Sequence, residues 1–241
     1  MKKGLLSIIL MALAITFPTQ SWAQNNIQFE DDAVKAICVA NWDTNGDGEL
    51  SYDEATAVTD IGTVFSNNSS IRLFHEFAFF TGLTQIPNDA FFWCVSLEEI
   101  TLPQNITSIG NDAFYHDEKI SSIILPDKLI SIGSGAFGDC WILSITIPAS
   151  VSSIEWAAFD SRFLESITVD NDNITYDSRN QCNAIIETAS NKLIVGCKNS
   201  TIPEDIVTIG EYAFSGCSFE KNLHFPSSLR KIEYQAFYQV S

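Results

Sequence analysis

The sequence predicts an α/β repeat solenoid, short parallel strands joined by helical turns, preceded by a small helix-loop-helix module. Three observations predict it. The pattern apolar-x-x-Ile-x-x-x-Ala-Phe comes round six times, ending at Phe91, Phe114, Phe137, Phe159, Phe214 and Phe237, in steps of 23, 23, 22, 55 and 23 residues. A fixed period in that range marks stacked units that each touch only their neighbours. Ahead of each Ala-Phe pair runs a shorter alternating apolar pattern that ends in proline, and ahead of the whole array lies an acidic, glycine-bearing segment between two helical patterns.

In chain order, Lys2 and Lys3 open a basic start, Leu5 to Phe17 form an apolar run too short to span a bilayer, and Ser21-Trp22-Ala23 is a small-x-small cleavage triplet. Residues 1–23 are therefore expected to be a signal peptide cut before Gln24, with an uncleaved anchor as the alternative. No transmembrane segment is expected after cleavage, and the protein should be exported to the periplasm, the cell surface or the medium. With 46% hydrophobic and 18% charged residues the chain can bury a long core. Its net charge of −17 repels phosphate backbones and anionic lipid heads, which argues against nucleic-acid partners, and attracts cations.

Residues 24–65 read as a calcium module and N-terminal cap. Asp43 to Glu54 match the twelve-residue EF-hand loop at its diagnostic positions. Calcium takes six to eight hard oxygens. Asp43, Asn45 and Asp47 would supply side-chain oxygens, Glu49 its backbone carbonyl, Ser51 a water-bridged contact and Glu54 a bidentate carboxylate. Gly48 sits at the sharp turn, where a side chain is expected to obstruct, and Leu50 points inward. Ala33, Val34, Ile37, Cys38 and Trp42 give the entering helix, while Ser51-x-x-Glu54 resembles a capping box opening the second. Glu54 is assigned to the metal rather than to the cap. A polar turn that binds nothing is the alternative. One such loop cannot bury its own apolar faces, so the module should close the end of the solenoid, with a structural role for Ca2+.

Residues 66–241 carry the repeats. Ser66 to Ser70 read as a linker, and Ile71 to Phe80, rich in phenylalanine, should join module to coils. The full unit is Leu97-x-x-Ile100-x-Leu102-Pro103 followed by Ile106-x-x-Ile109-Gly110 and Ala113-Phe114. The first part reads as a strand stopped by proline and the Ala-Phe part as a helical turn on the opposite side. Residues 183–197 read as a hairpin turning near Ala189-Ser190 and fill the long step. Cys94, Cys140 and Cys217 lie too far apart to bridge and are expected as buried thiols. Cys182 and Cys197 face each other across a hairpin in register, so a disulfide and two free thiols both stay open.

The unit resembles the BspA-type leucine-rich repeat over about residues 71–241. That resemblance implies a solenoid with a binding role, since such proteins are similar to bacterial surface or secreted proteins that adhere to host matrix proteins or to other cells. Thr101, Ile124, Thr146 and Thr168, with Thr201 and His224, should point outward from the strands as a candidate ligand face. Cross-strand threonine pairing explains such a row equally well. No nucleophile elbow, zinc-protease helix or phosphate loop is present, so no enzyme is expected. A protein partner, host matrix or another cell surface, leads; a carbohydrate-binding or structural module of a surface assembly is the alternative.

Overall fold

The computed structural model describes residues 25–160, 162–219 and 222–241; the expected leader, 1–23, lies outside them. Helix α1 (Asp32–Trp42) starts at Asp31, whose Oδ1 accepts the N–H groups of Ala33 and Val34 at 2.8 and 3.4 Å. The second oxygen of Asp31 accepts the N–H of Arg72 at 2.6 Å and of Leu73 at 3.3 Å, so one side chain caps the helix and ties it to the first coil. Helix α2 (Tyr52–Ala57) opens with the capping box of Ser51 and Glu54. Trp42 packs on Phe65 and Phe80, and Tyr52 on Phe79, which seats the helical module on the end of the stack.

Two strand positions recur along the solenoid. The alternating segment supplies β1 (Leu73–Phe74), paired in parallel with β3 (Glu99–Ile100), and β6 (Ser144–Ile147), paired in parallel with β8 (Ser166–Val169). The more continuous ladder runs through the repeat isoleucine instead. There β2 (Gln85–Ile86), β4 (Ser108–Ile109), β5 (Ser131–Ile132) and β7 (Ser153–Ile154) form a four-stranded parallel sheet in register Ile86, Ile109, Ile132, Ile154.

The Ala-Phe segment departs from the expected helical turn. The residues two before and two after the phenylalanine adopt left-handed backbone: Asp89 and Trp93, Asp112 and His116, Gly135 and Asp139, Tyr212 and Gly216, Gln235 and Gln239. A helical turn would satisfy its N–H groups internally. Here each left-handed residue swings the peptide outward, and the N–H of Phe91, Phe114, Phe137 and Phe214 reaches the alanine carbonyl of the next coil at 2.8 to 2.9 Å. The left-handed strain on non-glycine residues is offset by this coil-to-coil ladder.

Inside the coils the phenylalanines stack nearly face to face. Phe65–Phe91, Phe91–Phe114, Phe114–Phe137 and Phe137–Phe159 have centroids 5.1 to 5.4 Å apart and interplanar angles of 4° to 12°. The spine begins one coil earlier than the repeat pattern, at Phe65, because Val58-x-x-Ile61-Gly62-x-Val64-Phe65 is a copy one residue short and without the alanine. Phe214–Phe237 resume the stack at 5.2 Å in a second apolar cluster.

Between the two stacks lies the long step. There β9 (Tyr176–Asp177), β10 (Ile185–Glu187) and β11 (Lys192–Val195) form an antiparallel meander turning at 188–191, and β11 continues in parallel into β12 (Thr208–Ile209) and β13 (Lys231–Ile232). Strand β11 thus supplies the strand of a missing coil. Gly196 is required here, since a Cβ would lie 2.0 Å from the Phe214 ring. The Cys182–Cys197 bridge left open by the sequence is not formed: both thiols are free and buried. Cys182 follows a short 3-10 turn outside the ladder and lies 3.7 Å from Ser178 Oγ, while the Cys197 thiol donates to Asn183 O at 3.5 Å. A register shift between Ile185 and Ile186 breaks the symmetry that would have aligned them.

Candidate functional site

The calcium-type loop is held by its own amides. Asp43 Oδ1 accepts the N–H of Gly46 and Oδ2 that of Gly48; Asn45 Oδ1 accepts Asp47 N–H, and Asp47 Oδ1 accepts Glu49 N–H, all at 2.7 to 2.9 Å. Gly48 has φ +83° with open space around the position of a Cβ, so glycine is needed for the backbone angle and not for clearance. Glu54 bridges the loop. One oxygen accepts the N–H and hydroxyl of Thr44, the other the N–H and hydroxyl of Ser51. Burial pushes this carboxyl up, and the hydrogen bonds from Ser51 and Thr44 outweigh it and hold it down at about 2.

Among the described residues no three His, Cys, Asp or Glu side chains converge as a metal cluster. The loop's oxygen set is of a different kind, one amide and one carbonyl beside carboxylates, and its hard donors suit calcium chemically. The carboxylate assigned to the metal, that of Glu54, here serves the cap. Calcium would share it. Leu50 is fully buried, and the loop pairs through Ile27 N–H to Leu50 O at 2.8 Å and Tyr52 N–H to Asn25 O at 3.0 Å. The segment at 25–27 thereby pairs along the edge of the loop.

On the strand side, Thr101, Ile124, Thr146, Thr168, Thr201 and His224 are all exposed, Ile124 at 83%. Thr146 and Thr168 share a hydrogen bond at 3.1 Å between their hydroxyls, so those two do pair across strands. A depression of about 240 Å³ lies at the Thr101–Ile124 end, with His75, Gln104 and Ser122 in its lining. His75 is held by Glu99 at 2.9 Å and Glu30 at 3.2 Å, and the hydrogen bond to Glu99 raises its pKa. A second depression of about 390 Å³ lies at the other end, beside Thr201, Phe219, Asn222 and His224.

Two further groups stand outside the sites expected from sequence. Asp117 is wholly buried three residues past Phe114, a position held by Cys94, Cys140 and Cys217 in three of the other coils. A carboxylate standing in a column of thiols was its signal. The other group is a set of rings, exposed Trp156, Tyr234 and Tyr238 around half-buried Tyr212; its signal was Trp156 and Tyr234 at a position held by Asn88, Asn111 and Ser134 in earlier coils.

Parallel strands closing short coils over a stacked apolar spine define a leucine-rich repeat protein. The chain belongs to the BspA-type leucine-rich repeat family, whose repeat region matches in six copies over residues 84–194 and 185–241. Among solved structures it is similar to a leucine rich cell surface protein of Faecalibacterium prausnitzii, with a TM-score of 0.62 and 26% identity over 75% of this chain and 55% of that one. It is similar also to the pneumococcal vaccine antigen PcpA (0.60, 24%, 66% and 41%) and to a leucine-rich repeat protein of Eubacterium ventriosum (0.53, 24%, 65% and 49%). The chain spans about half the length of these structures. No curated protein matches the sequence. No helix among the described residues is long and apolar enough to cross a membrane.

Proposed function

We propose that this chain is an exported protein of the cell surface or surroundings that binds other proteins through its solenoid, adheres by that means, and is stabilised by calcium. The observation that carries the reading is the strand-side row from Thr101 to Thr168, exposed side chains on a backbone fixed by the buried spine and flanked by depressions at both ends. Rigid strands presenting small hydroxyls cost little to order on binding. The likeness to the Faecalibacterium cell surface protein supports the location. Binding rather than catalysis is the role proposed.

Thr146→Lys combined with Thr168→Glu replaces the hydroxyl pair by an ion pair across β6 and β8, which keeps the strands matched. In a pull-down of host matrix proteins, the variant should lose at least tenfold in affinity with an unchanged melting curve. Equal affinity removes this face from consideration, and capture on a glycan array without any protein ligand would put a carbohydrate-binding module in its place.

Calcium would be held by Asp43, Asn45, Asp47, the Glu49 carbonyl and Glu54. At a concentration about a hundredfold above Kd it should add about 2.7 kcal/mol, a rise of several degrees in melting temperature. Glu54→Gln keeps the capping box, which accepts glutamine as well as glutamate, and should abolish the rise. A melting curve that is the same with calcium and with chelator refutes calcium binding.

A further inference from the structure

We propose that the joint between the two stacks is a docking site for a basic segment of a partner protein, one that presents arginine or lysine side chains. The repeat pattern itself isolates this place. Three residues before each phenylalanine the early coils carry Asn88, Asn111 and Ser134, and these fasten coil to coil: Asn88 Oδ1 accepts Asn111 N–H at 2.8 Å and Asn111 Oδ1 accepts Ser134 N–H at 3.0 Å. In the later coils the same row reads Trp156, Glu211 and Tyr234. The fastening amides are gone, and Trp156 and Tyr234 are 52% and 66% exposed.

These rings do nothing for the core. Trp156 packs against Tyr212 at 5.4 Å, and Tyr212 meets Tyr234 and Tyr238 at 6.0 and 6.4 Å, so the four make one patch. A cleft of about 230 Å³ opens beside them where β7 and β11 fail to pair, lined by Glu155, Trp156, Lys192, Ile194 and Glu211. Tyr176 closes the edge of β7 from within, its hydroxyl oxygen accepting Ile154 N–H at 3.0 Å.

The charge at the cleft selects the occupant. Lys192 is engaged by Glu233 at 2.7 Å, which leaves Glu155 and Glu211 facing the opening in a chain of net charge −17. Aromatic faces attract cations through their quadrupole, and carboxylates beside them add Coulomb attraction and hydrogen-bond acceptors for a guanidinium. Trp and Tyr are also the residues that dominate protein interfaces. An acidic or nucleic partner would be repelled here. The site rests on the protein-binding reading above and lies apart from the threonine row.

The test titrates fluorescein-labelled tetra-arginine peptide into the full chain and reads anisotropy. Trp156→Ala and Glu155→Gln/Glu211→Gln should each weaken binding about tenfold, Tyr234→Ala less, and raised salt should weaken the parent chain. The control Asp127→Asn/Asp172→Asn, which removes the same charge elsewhere, should bind as the parent does. All substituted side chains but Glu211 are exposed, and unchanged circular dichroism confirms the fold. Equal weakening in both charge variants means attraction by net charge alone and overturns the site. So does saturable binding of a neutral chitin hexasaccharide that Trp156→Ala abolishes while peptide binding persists. Failure of the parent chain to bind the peptide, with its matrix-protein capture intact, overturns this inference and leaves the protein-binding reading standing.

Discussion

Asp117→Asn is expected to stabilise the protein by about 2 to 4 kcal/mol near neutral pH and to remove most of its loss of stability in mild alkali. Asp117 is 0% exposed; its Oδ1 accepts Cys94 N–H at 2.7 Å, and its Oδ2 has no hydrogen-bond partner. Burial, against the weaker pull of that hydrogen bond, raises the carboxyl from 3.8 to about 9. The groups facing it are the thiols of Cys94 and Cys140, themselves pushed upward by burial and therefore neutral. In the neighbouring coils those thiols donate to Phe65 O and Phe114 O, each at 3.0 Å.

The sign follows from the raised value. Below about pH 4 the carboxyl is protonated whether the chain is folded or not, and its contribution is fully present. Between about pH 4 and 9 folding must take up a proton, so stability falls by about 1.4 kcal/mol per pH unit before levelling off. Asparagine keeps the acceptor for Cys94 and is neutral at every pH, so it carries no such cost. Denaturant melts of the two proteins at pH 5 and pH 9 decide the matter. A gap between them that stays constant over that range would show that Asp117 is ionised in the fold.

Phe137→Ala should cost about 3 to 5 kcal/mol, the range for emptying a buried phenylalanine site. Phe137 is 1% exposed and lies between Phe114 at 5.3 Å and Phe159 at 5.4 Å, so the substitution also removes two ring contacts. Since each coil touches only its neighbours, the cavity cuts the spine into segments and should split the unfolding transition. Phe237 contacts Phe214 and Phe225 and is only partly buried, so Phe237→Ala should cost about 1 to 2 kcal/mol and leave one transition. If the terminal substitution proves as damaging as the central one, the stack is not a continuous load path.

Much of the architecture was legible because the repeat is a ruler. A step of 22 or 23 residues places each Ala-Phe pair on its predecessor, and the outward threonines followed from strand alternation. The loop at 43–54 and its capping box were legible for a similar reason, since local spacing fixes local hydrogen bonds. Phe65 was missed because its copy is one residue short and lacks alanine. The left-handed turns were missed because Asp and His favour that backbone too weakly to announce it and Trp93 does not favour it; a neighbouring coil's carbonyl holds each of Asp89, Trp93, Asp112 and His116 in place.

The sequence alone determined a stack of coils with a phenylalanine spine, a helical module ahead of it and an acidic surface, because those depend on periodicity and composition. The tertiary structure decided what happens where the period fails. Around the long step from Phe159 to Phe214 nothing in the spacing says that β11 replaces a strand, that Cys182 and Cys197 part, or that Trp156 and Glu211 line one cleft. Contacts there join residues far apart in the chain, and only their competition for the same open edge settles which of them meet.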